Sequence, residues 1–114
     1  DTREQAIAIT PDLLEKKNRP DGFFAINDET ASGILYACKL VGLKVPDEVS
    51  ICGFTDGAIA QSTDPKLTTG EQHGQEVGES AFEILIGRLE GTSGEQKNNN
   101  RIVKTNLVVR GTTK

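Results

Sequence analysis

Two polar pairs, each placed directly after an apolar run, are the residues in this sequence best suited to chemistry. Asn27 and Asp28 follow the first run, and Thr55 and Asp56 follow the second. Amide, carboxylate and hydroxyl groups hydrogen-bond well to ligand hydroxyls. A phosphate site would instead need a glycine-rich turn or cations, which neither position offers. The residue types therefore predict recognition of a polar, uncharged ligand.

The sequence shows no clear pattern for catalysis or metal binding. His73 is the single histidine and has no partner at metal or triad spacing, so a loop position or a helix cap is predicted for it. No nucleophile-elbow, dinucleotide-binding, Cys-x-x-Cys or phosphate-loop pattern occurs. Cys38 and Cys52 stand at apolar positions, which favours two buried reduced thiols over a disulfide or a metal pair. We therefore predict no enzyme activity, catalytic residue, metal or cofactor.

Length and net charge limit the classes of protein to which this sequence can belong. The 114 residues suit one domain or part of one, and the first residue is Asp rather than Met, as expected for a segment of a longer protein. Thirteen basic and seventeen acidic residues give a net charge of -4, with the cations scattered. That balance disfavours nucleic-acid binding by this segment itself. No stretch is long and apolar enough to span a bilayer, so no membrane partner is expected.

The elements that must position the polar pairs form one βαβ unit. Phe23–Ile26 is continuously apolar and predicts a short strand buried on both faces. Asn27 and Asp28 are good helix caps, and the helix should run from Asp28 to about Val41, where Gly42 stops it. Val49–Phe54 predicts a second buried strand, parallel to the first with a right-handed crossover. Both polar pairs then emerge at the same edge of the sheet, where open α/β sheets bind ligands.

The helix of this unit has apolar residues on two sides. The side facing the sheet should carry Ala31, Ile34, Leu35, Cys38 and Val41. At about 100° per residue, Ser32, Tyr36, Leu40 and Leu43 fall on another side, which is more apolar than a solvated face needs. Two explanations stay open: loops of the same domain cover this side, or a partner subunit does.

The rest of the sequence predicts further helices and strands before and after this unit. A helix is expected over Thr2–Lys17, where Pro11 either kinks one helix, the favoured alternative, or begins a second helix capped by Thr10. The further expectations are a helical turn at Ala58–Gln61, a minimal strand at Leu67–Thr69, a helix over about Gln75–Glu90, a flexible polar link over Thr92–Asn100, a strand over Arg101–Arg110 and a tail over Gly111–Lys114.

Four motifs in this order closely resemble the lactose-repressor (LacI/GalR) family: Pro20–Asp28, Val45–Phe54, Pro65–Thr69 and Leu107–Arg110. The resemblance covers nearly the whole chain. It implies an α/β fold, a parallel βαβ-based sheet with flanking helices that forms one lobe of a periplasmic-binding-protein-like type I fold. Residues 1–114 would be the C-terminal lobe of an effector-binding domain. The DNA-binding domain, the other lobe and the first strand of this lobe would lie outside the chain.

The resemblance also implies the site residues. Effector contacts would come from Asn27, from Thr55 after the Gly-Phe pair, and from Gln72, with Asp28 and Asp56 beside them. The family often has Asp where Thr55 stands, and a threonine offers one hydroxyl in place of a carboxylate. Either Asp56 supplies the carboxylate contact in place of residue 55, or the ligand differs from a simple monosaccharide.

The implied protein is a cytoplasmic transcriptional regulator that binds a small effector, in the first place a carbohydrate, and forms a homodimer. It would contact operator DNA only through its N-terminal domain, and effector binding would shift the balance between two lobe arrangements. The dimer surface would be the outer face of the helix and the segment before Pro65, with Ser32, Tyr36, Leu40 and Thr63. The alternative is the solute-binding protein of a sugar ABC transporter, which has the same fold.

Overall fold

The computed structural model describes residues 2–91 and 100–114. The predicted flexible link lies outside the described residues except for Asn100. The chain forms two compact units, residues 1–71 with 106–114 and residues 72–105. In the described residues the first unit holds α1 (Arg3–Leu14), β1 (Gly22–Phe24), α2 (Asp28–Leu40), β2 (Ser50–Thr55), α3 (Ala58–Ser62), β3 (Thr68–Glu71) and β4 (Asn106–Val108), and the second unit holds α4 (Gly74–Leu89).

The four strands form one sheet in the order β1-β2-β3-β4. β1 pairs in parallel with β2, and β2 in parallel with β3, whereas β4 runs antiparallel to β3. Phe24 stands opposite Cys52, which in turn stands opposite Thr68. The predicted parallel βαβ unit is therefore confirmed. Since β1 and β2 run in the same direction, the loops that follow them leave from the same edge of the sheet.

The first strand departs from its prediction. The apolar run Phe23–Ile26 was expected to be buried on both faces, but Phe24 is 70% exposed and Ile26 is 61% exposed. Successive side chains of a strand point to opposite faces, so only Phe23 packs on the core while Phe24 faces the other way. β1 is also the terminal strand of the sheet, paired on one side by β2. The expectation of a doubly buried strand was wrong.

Helices α1 and α2 pack closely against each other. α1 is one helix that continues through Pro11 and ends at Leu14, three residues before the predicted end. Its first turn is closed by a capping box in which the side chains of Thr2 and Gln5 each accept from the other's backbone N–H. A Cβ on Gly33 of α2 would lie 2.5 Å from the carbonyl oxygen of Arg3. The two helices can approach this closely only because residue 33 has no side chain.

The core lies between these helices and the sheet. Of the side chains predicted to face the sheet from α2, four are buried and Val41 is 40% exposed. Val41 caps the helix and Gly42 follows with a φ of +77°, as a terminating glycine does. The fully buried apolar side chains of at least valine size are Val49, Ile51 and Leu67.

Both cysteines are free thiols, as predicted. Cys38 is fully buried on α2, whereas Cys52 on β2 is half-buried, so the prediction of two buried thiols holds fully for Cys38 alone. Burial raises the pKa of Cys38 above its usual value of 9.0. Burial also raises the pKa of Cys52, and the charge of Asp28 adds to that rise. Both thiols are therefore protonated and weakly nucleophilic near neutral pH.

The C-terminal segment is more ordered than the sequence predicted. Of the expected strand over 101–110, only Asn106–Val108 forms one. The expected tail is docked instead: Thr112 is fully buried, its hydroxyl donates to the carbonyl oxygen of Ile51 over 2.7 Å, and it accepts from the N–H of Thr68 over 2.8 Å. The segment completes hydrogen bonds that β2 and β3 leave open, and that is why it does not extend into solvent.

The second unit contains helix α4. α4 begins and ends within one residue of the predicted helix, and none of its residues is buried. Arg101 forms an ion pair with Glu83 of this helix. No described helix is both long enough and apolar enough to cross a membrane.

Candidate functional site

Asn27 caps helix α2 at the carboxyl end of β1. Its backbone is extended, with φ -152° and ψ 165°, and its Oδ1 accepts a hydrogen bond from the N–H of Thr30 over 2.7 Å. Asparagine is favoured here because the short amide reaches a backbone donor of the first turn. The predicted cap is confirmed, and the half-buried side chain lies at the sheet edge where the ligand site was expected.

Asp28 is the buried centre of this edge. Its side chain is 3% exposed, and both carboxylate oxygens accept hydrogen bonds from the protein. Oδ1 accepts from the hydroxyl of Thr69 over 2.6 Å, and Oδ2 accepts from the N–H of Gly57 over 3.0 Å. A Cβ on Gly53 would lie 2.4 Å from Oδ1, so the carboxylate fits only above a glycine. Asp28 thus ties α2 to the end of β2 and to β3.

The turn after β2 has an unusual backbone. Thr55 has a φ of +140° and Asp56 a φ of +59°. Positive φ is uncommon for residues with a side chain and costs of order 1–3 kcal/mol, so surrounding contacts must hold it. The bond from the Gly57 N–H to Asp28 is one such contact. The structure therefore brings Asn27, Thr55 and Asp56 onto loops that one buried carboxylate connects.

Asp56 is paired with a residue that the sequence analysis did not single out. Nη2 of Arg110 lies 2.7 Å from Oδ1 of Asp56, and the two side chains are 14% and 15% exposed. The approach direction is not that of a hydrogen bond, so this buried Oδ1 makes an ionic contact and accepts no hydrogen bond within the described part of the chain. The charge of Asp56 is therefore already compensated inside the protein.

Gln72, the third effector contact that the resemblance implied, belongs to the second unit. It is half-buried and lies directly before His73, which occupies the N-cap position of α4 with a φ of +50°. The histidine makes no side-chain capping hydrogen bond there. His73 therefore occupies a predicted cap position, but only its backbone takes part in the cap.

Of the four residues implied for a dimer surface, Ser32, Tyr36 and Thr63 line one groove of the first unit, and Leu40 does not. Tyr36 is 44% exposed and Leu40 is 62% exposed, while Ser32 and Thr63 are half-buried. The guanidinium of Arg3 stacks 5.2 Å above the Tyr36 ring, a cation–π contact. The groove has a volume of about 350 Å³ and is lined by Arg3, Ser32, Leu35, Tyr36, Lys39, Ile59, Ser62, Thr63 and Asp64. No loop of the described first unit covers Tyr36 or Leu40 fully.

Sequence reasoning missed three contributors to the site: Arg110, Thr69 and Gly57. Each contacts a partner that is 29 to 54 positions away in the sequence, and no periodicity reveals such a pairing. A polar residue within a buried strand, as at Thr69, is the one available signal, because a buried hydroxyl needs a partner. Within the described residues, no three His, Cys, Asp or Glu side chains cluster as a metal site would require.

Comparison with known proteins adds the family context. The sequence profile of the family described as periplasmic binding protein-like domain matches residues 1–113. The HTH-type transcriptional repressor PurR of Vibrio campbellii is 32% identical over 111 residues, which are 97% of this chain and 33% of that protein. The arabinose metabolism transcriptional repressor of Geobacillus stearothermophilus is 40% identical over 99 residues, 87% of this chain and 27% of that protein. The chain thus spans about a third of the length of the curated relatives it matches.

Solved structures agree with this placement. A LacI family transcriptional regulator from Arthrobacter sp. FB24, in complex with lactose, superposes with a TM-score of 0.90 at 31% identity, covering 100% of this chain and 43% of that one. A LacI family transcriptional regulator from Enterococcus faecium with bound ribose gives a TM-score of 0.86 at 27% identity, covering 98% and 40%. The expected α/β architecture, a sheet with flanking helices, is confirmed by these likenesses.

Proposed function

Because this chain belongs to the periplasmic binding protein-like domain family, in the form found in the effector-binding region of LacI/GalR regulators, we propose that it is the ligand-sensing C-terminal lobe of a transcriptional repressor. It binds a small polar effector at the carboxyl edge of its sheet. The observation that carries the proposal is the convergence of Asn27 and the Thr55–Gly57 turn, which Asp28 connects by its two carboxylate oxygens. Open α/β sheets bind ligands at such an edge.

The effector is an uncharged polar molecule, with a sugar as the first candidate. Asn27 and Thr55 offer an amide and a hydroxyl, which pair with ligand hydroxyls. Asp56 is ionically paired with Arg110, so it contributes less free charge than its residue type suggests. Neutral sugars are also what the two structural relatives hold, lactose in one and ribose in the other.

The proposed residues have different roles. Asn27 and Thr55 contact the effector, and Asp56 borders it, whereas the contact implied for Gln72 stays a prediction. Asp28, with both oxygens already bonded within the protein, positions the loops that carry these contacts. No cofactor or metal is part of the proposal. The intact regulator acts in the cytoplasm and reads operator DNA through its DNA-binding domain. Effector binding alters that affinity by shifting the population of two lobe arrangements.

The same lobe forms the homodimer contact. Tyr36 lines the groove together with Ser32 and Thr63, and Leu40 is exposed at the end of the same helix. Tyrosine is enriched at the centres of protein–protein interfaces. The second copy of the chain is the proposed occupant. The alternative of a transporter's solute-binding protein is not favoured, since the relatives above are named repressors.

A thermal-shift screen of the intact protein tests the proposed function. Ligands that bind the native state raise the melting temperature by mass action. The screen should hold lactose, ribose, arabinose and cellobiose, together with sugar phosphates and nucleobases. We expect a rise with at least one neutral sugar that Asn27→Ala abolishes. A rise only with charged ligands, or one that Asn27→Ala and Thr55→Ala leave unchanged, would contradict the proposed effector site.

A further inference from the structure

Arg110 takes part in the most buried of the ion pairs found among the described residues. Its side chain and that of Asp56 are 14% and 15% exposed, whereas the pair of Arg19 and Glu48 is 37% and 40% exposed. Exposed pairs contribute little because water screens them, but loss of one partner from a buried pair leaves an uncompensated charge. The two pairs therefore have different expected consequences when the arginine is replaced.

Arg110 is held rigidly at its own end. Its backbone N–H donates to the hydroxyl of Thr68 over 2.8 Å, and its Nη1 donates to the carbonyl oxygen of Leu67 over 2.9 Å. The next residue, Gly111, donates its N–H to the carbonyl oxygen of Lys66 over 2.9 Å. The guanidinium is thereby anchored to the start of β3 before it reaches Asp56. A group fixed in this way can impose a position on its partner.

Asp56 is the partner of Arg110 in this pair and lies in the turn that follows β2. It stands in a turn with two successive positive φ values, at Thr55 and at itself. Its buried Oδ1 has the ionic contact to Arg110 and accepts no hydrogen bond from the described residues. The turn is therefore tethered at two points. Asp28 holds Gly57 at the far end, and Arg110 holds Asp56 at the middle.

We infer that Arg110 is a positioning residue for the effector site, which acts through Asp56. Its guanidinium keeps the Thr55–Gly57 turn in the backbone conformation that presents Thr55 at the sheet edge. The inference rests on the proposed function for the statement that this turn contacts the effector. The positioning itself concerns only the turn and can be measured without any ligand.

Hydrogen exchange followed by mass spectrometry on the intact protein, with no ligand added, tests the positioning. The peptide of interest spans residues 54–59. In Arg110→Gln the turn should take up deuterium about tenfold faster, because the uncompensated Asp56 carboxylate turns outward to be hydrated. The matched control is Arg19→Gln, which removes the same charge from an exposed pair and should leave this peptide unchanged.

A second pair of variants separates action through Asp56 from general loosening. Asp56→Asn alone should speed exchange of the same peptide, and Arg110→Gln should add little in the Asp56→Asn background. Additive effects of the two changes would overturn the inference, as would a wild-type exchange rate in Arg110→Gln. If Arg110→Gln does not fold, Arg110→Lys replaces it. We expect an intermediate rate for that variant, and a wild-type rate would again overturn the inference.

The affinity for a sugar that gives a thermal shift, such as lactose or ribose, provides the functional measurement. Arg110→Gln should raise its Kd about tenfold, since a misplaced contact residue weakens binding. Unchanged affinity together with faster exchange would overturn the link to the effector site but not the proposed function. Failure of both Asn27→Ala and Thr55→Ala to affect binding would instead count against the proposed function, whereas the exchange rates would still test the positioning of the turn by Arg110.

Discussion

The hydroxyl of Thr69 donates a hydrogen bond to Oδ1 of Asp28 across 2.6 Å, and it thereby joins the third strand to the first residue of helix α2. The two residues are 41 positions apart in the sequence. Both are buried, at 0% and 3% exposure. A charge-assisted bond in this setting contributes more than a typical surface hydrogen bond. It fixes the first residue of α2 against β3 at this edge of the sheet.

Thr69→Val should destabilise the intact protein. Valine keeps the shape of threonine but removes the donor, which leaves a buried carboxylate oxygen without its hydrogen bond. The expected loss is about 1–3 kcal/mol in the free energy of unfolding. Thr105→Val is the matched control, because Thr105 is exposed. Urea unfolding measures both, and an equal effect of the two substitutions would show that the Asp28 bond contributes nothing specific.

Gly33→Ala should destabilise through the contact of α1 and α2. The added Cβ would lie 2.5 Å from the carbonyl oxygen of Arg3 and 2.8 Å from Cβ of Ala6, so the helices must separate. Such overpacking costs about 1–3 kcal/mol. Gly78→Ala should have the opposite effect on stability, since nothing lies within 4 Å of its added Cβ. Alanine should stabilise α4 there by about 0.5–1 kcal/mol. Melting temperatures that fall in both variants would contradict this account.

Two substitutions of Asn27 separate capping from effector binding. Asn27→Ser keeps a cap for the N–H of Thr30, whereas Asn27→Ala loses it at a cost of about 1 kcal/mol in stability. Both remove the amide and should weaken effector binding by about 1–3 kcal/mol. Calorimetry with a sugar from the thermal-shift screen measures the affinity. If Asn27→Ser binds as the wild type does, Asn27 serves only as a cap.

Tyr36→Asp should shift the intact protein toward monomer. A charge placed beside the groove would be desolvated in the dimer, and the cation–π contact with Arg3 would be lost. Asn18→Asp adds the same charge at an exposed position away from the groove and should sediment as the wild type does. Analytical ultracentrifugation distinguishes the two. An unchanged profile for Tyr36→Asp would remove this face from the interface.

Stability should decline at alkaline pH through the thiols. Burial raises the folded-state pKa of Cys38 above the usual 9.0, so its contribution is fully present below that pH and is lost as the pH rises through the raised value. Melting temperatures between about pH 8 and about pH 11 should therefore fall, and less so in Cys38→Ala than in the wild type. Lys17→Ala, at an exposed position, should follow the wild type. A parallel decline in all three proteins would exclude Cys38 as the cause.

Local sequence signals determined the central βαβ unit of this protein. The apolar runs before Asn27 and Thr55, the cap at Asn27 and the terminating Gly42 all act within a few residues, so their spacing alone predicts the parallel βαβ unit and the edge where the polar pairs emerge. The four motifs added the LacI/GalR family. The prediction for one run was wrong: its length is consistent with a strand buried on both faces, but Phe24 faces away from the core and is 70% exposed.

Only the tertiary structure decided how the site is held. Asp28 bonds to Gly57 and Thr69, Asp56 pairs with Arg110, and the C-terminal segment docks through Thr112. These partners are 29 to 61 positions apart in the sequence, and each pairing depends on which strands become neighbours. A buried carboxylate requires hydrogen-bond donors. The sequence pattern does not identify these donors, because they depend on how the whole sheet packs.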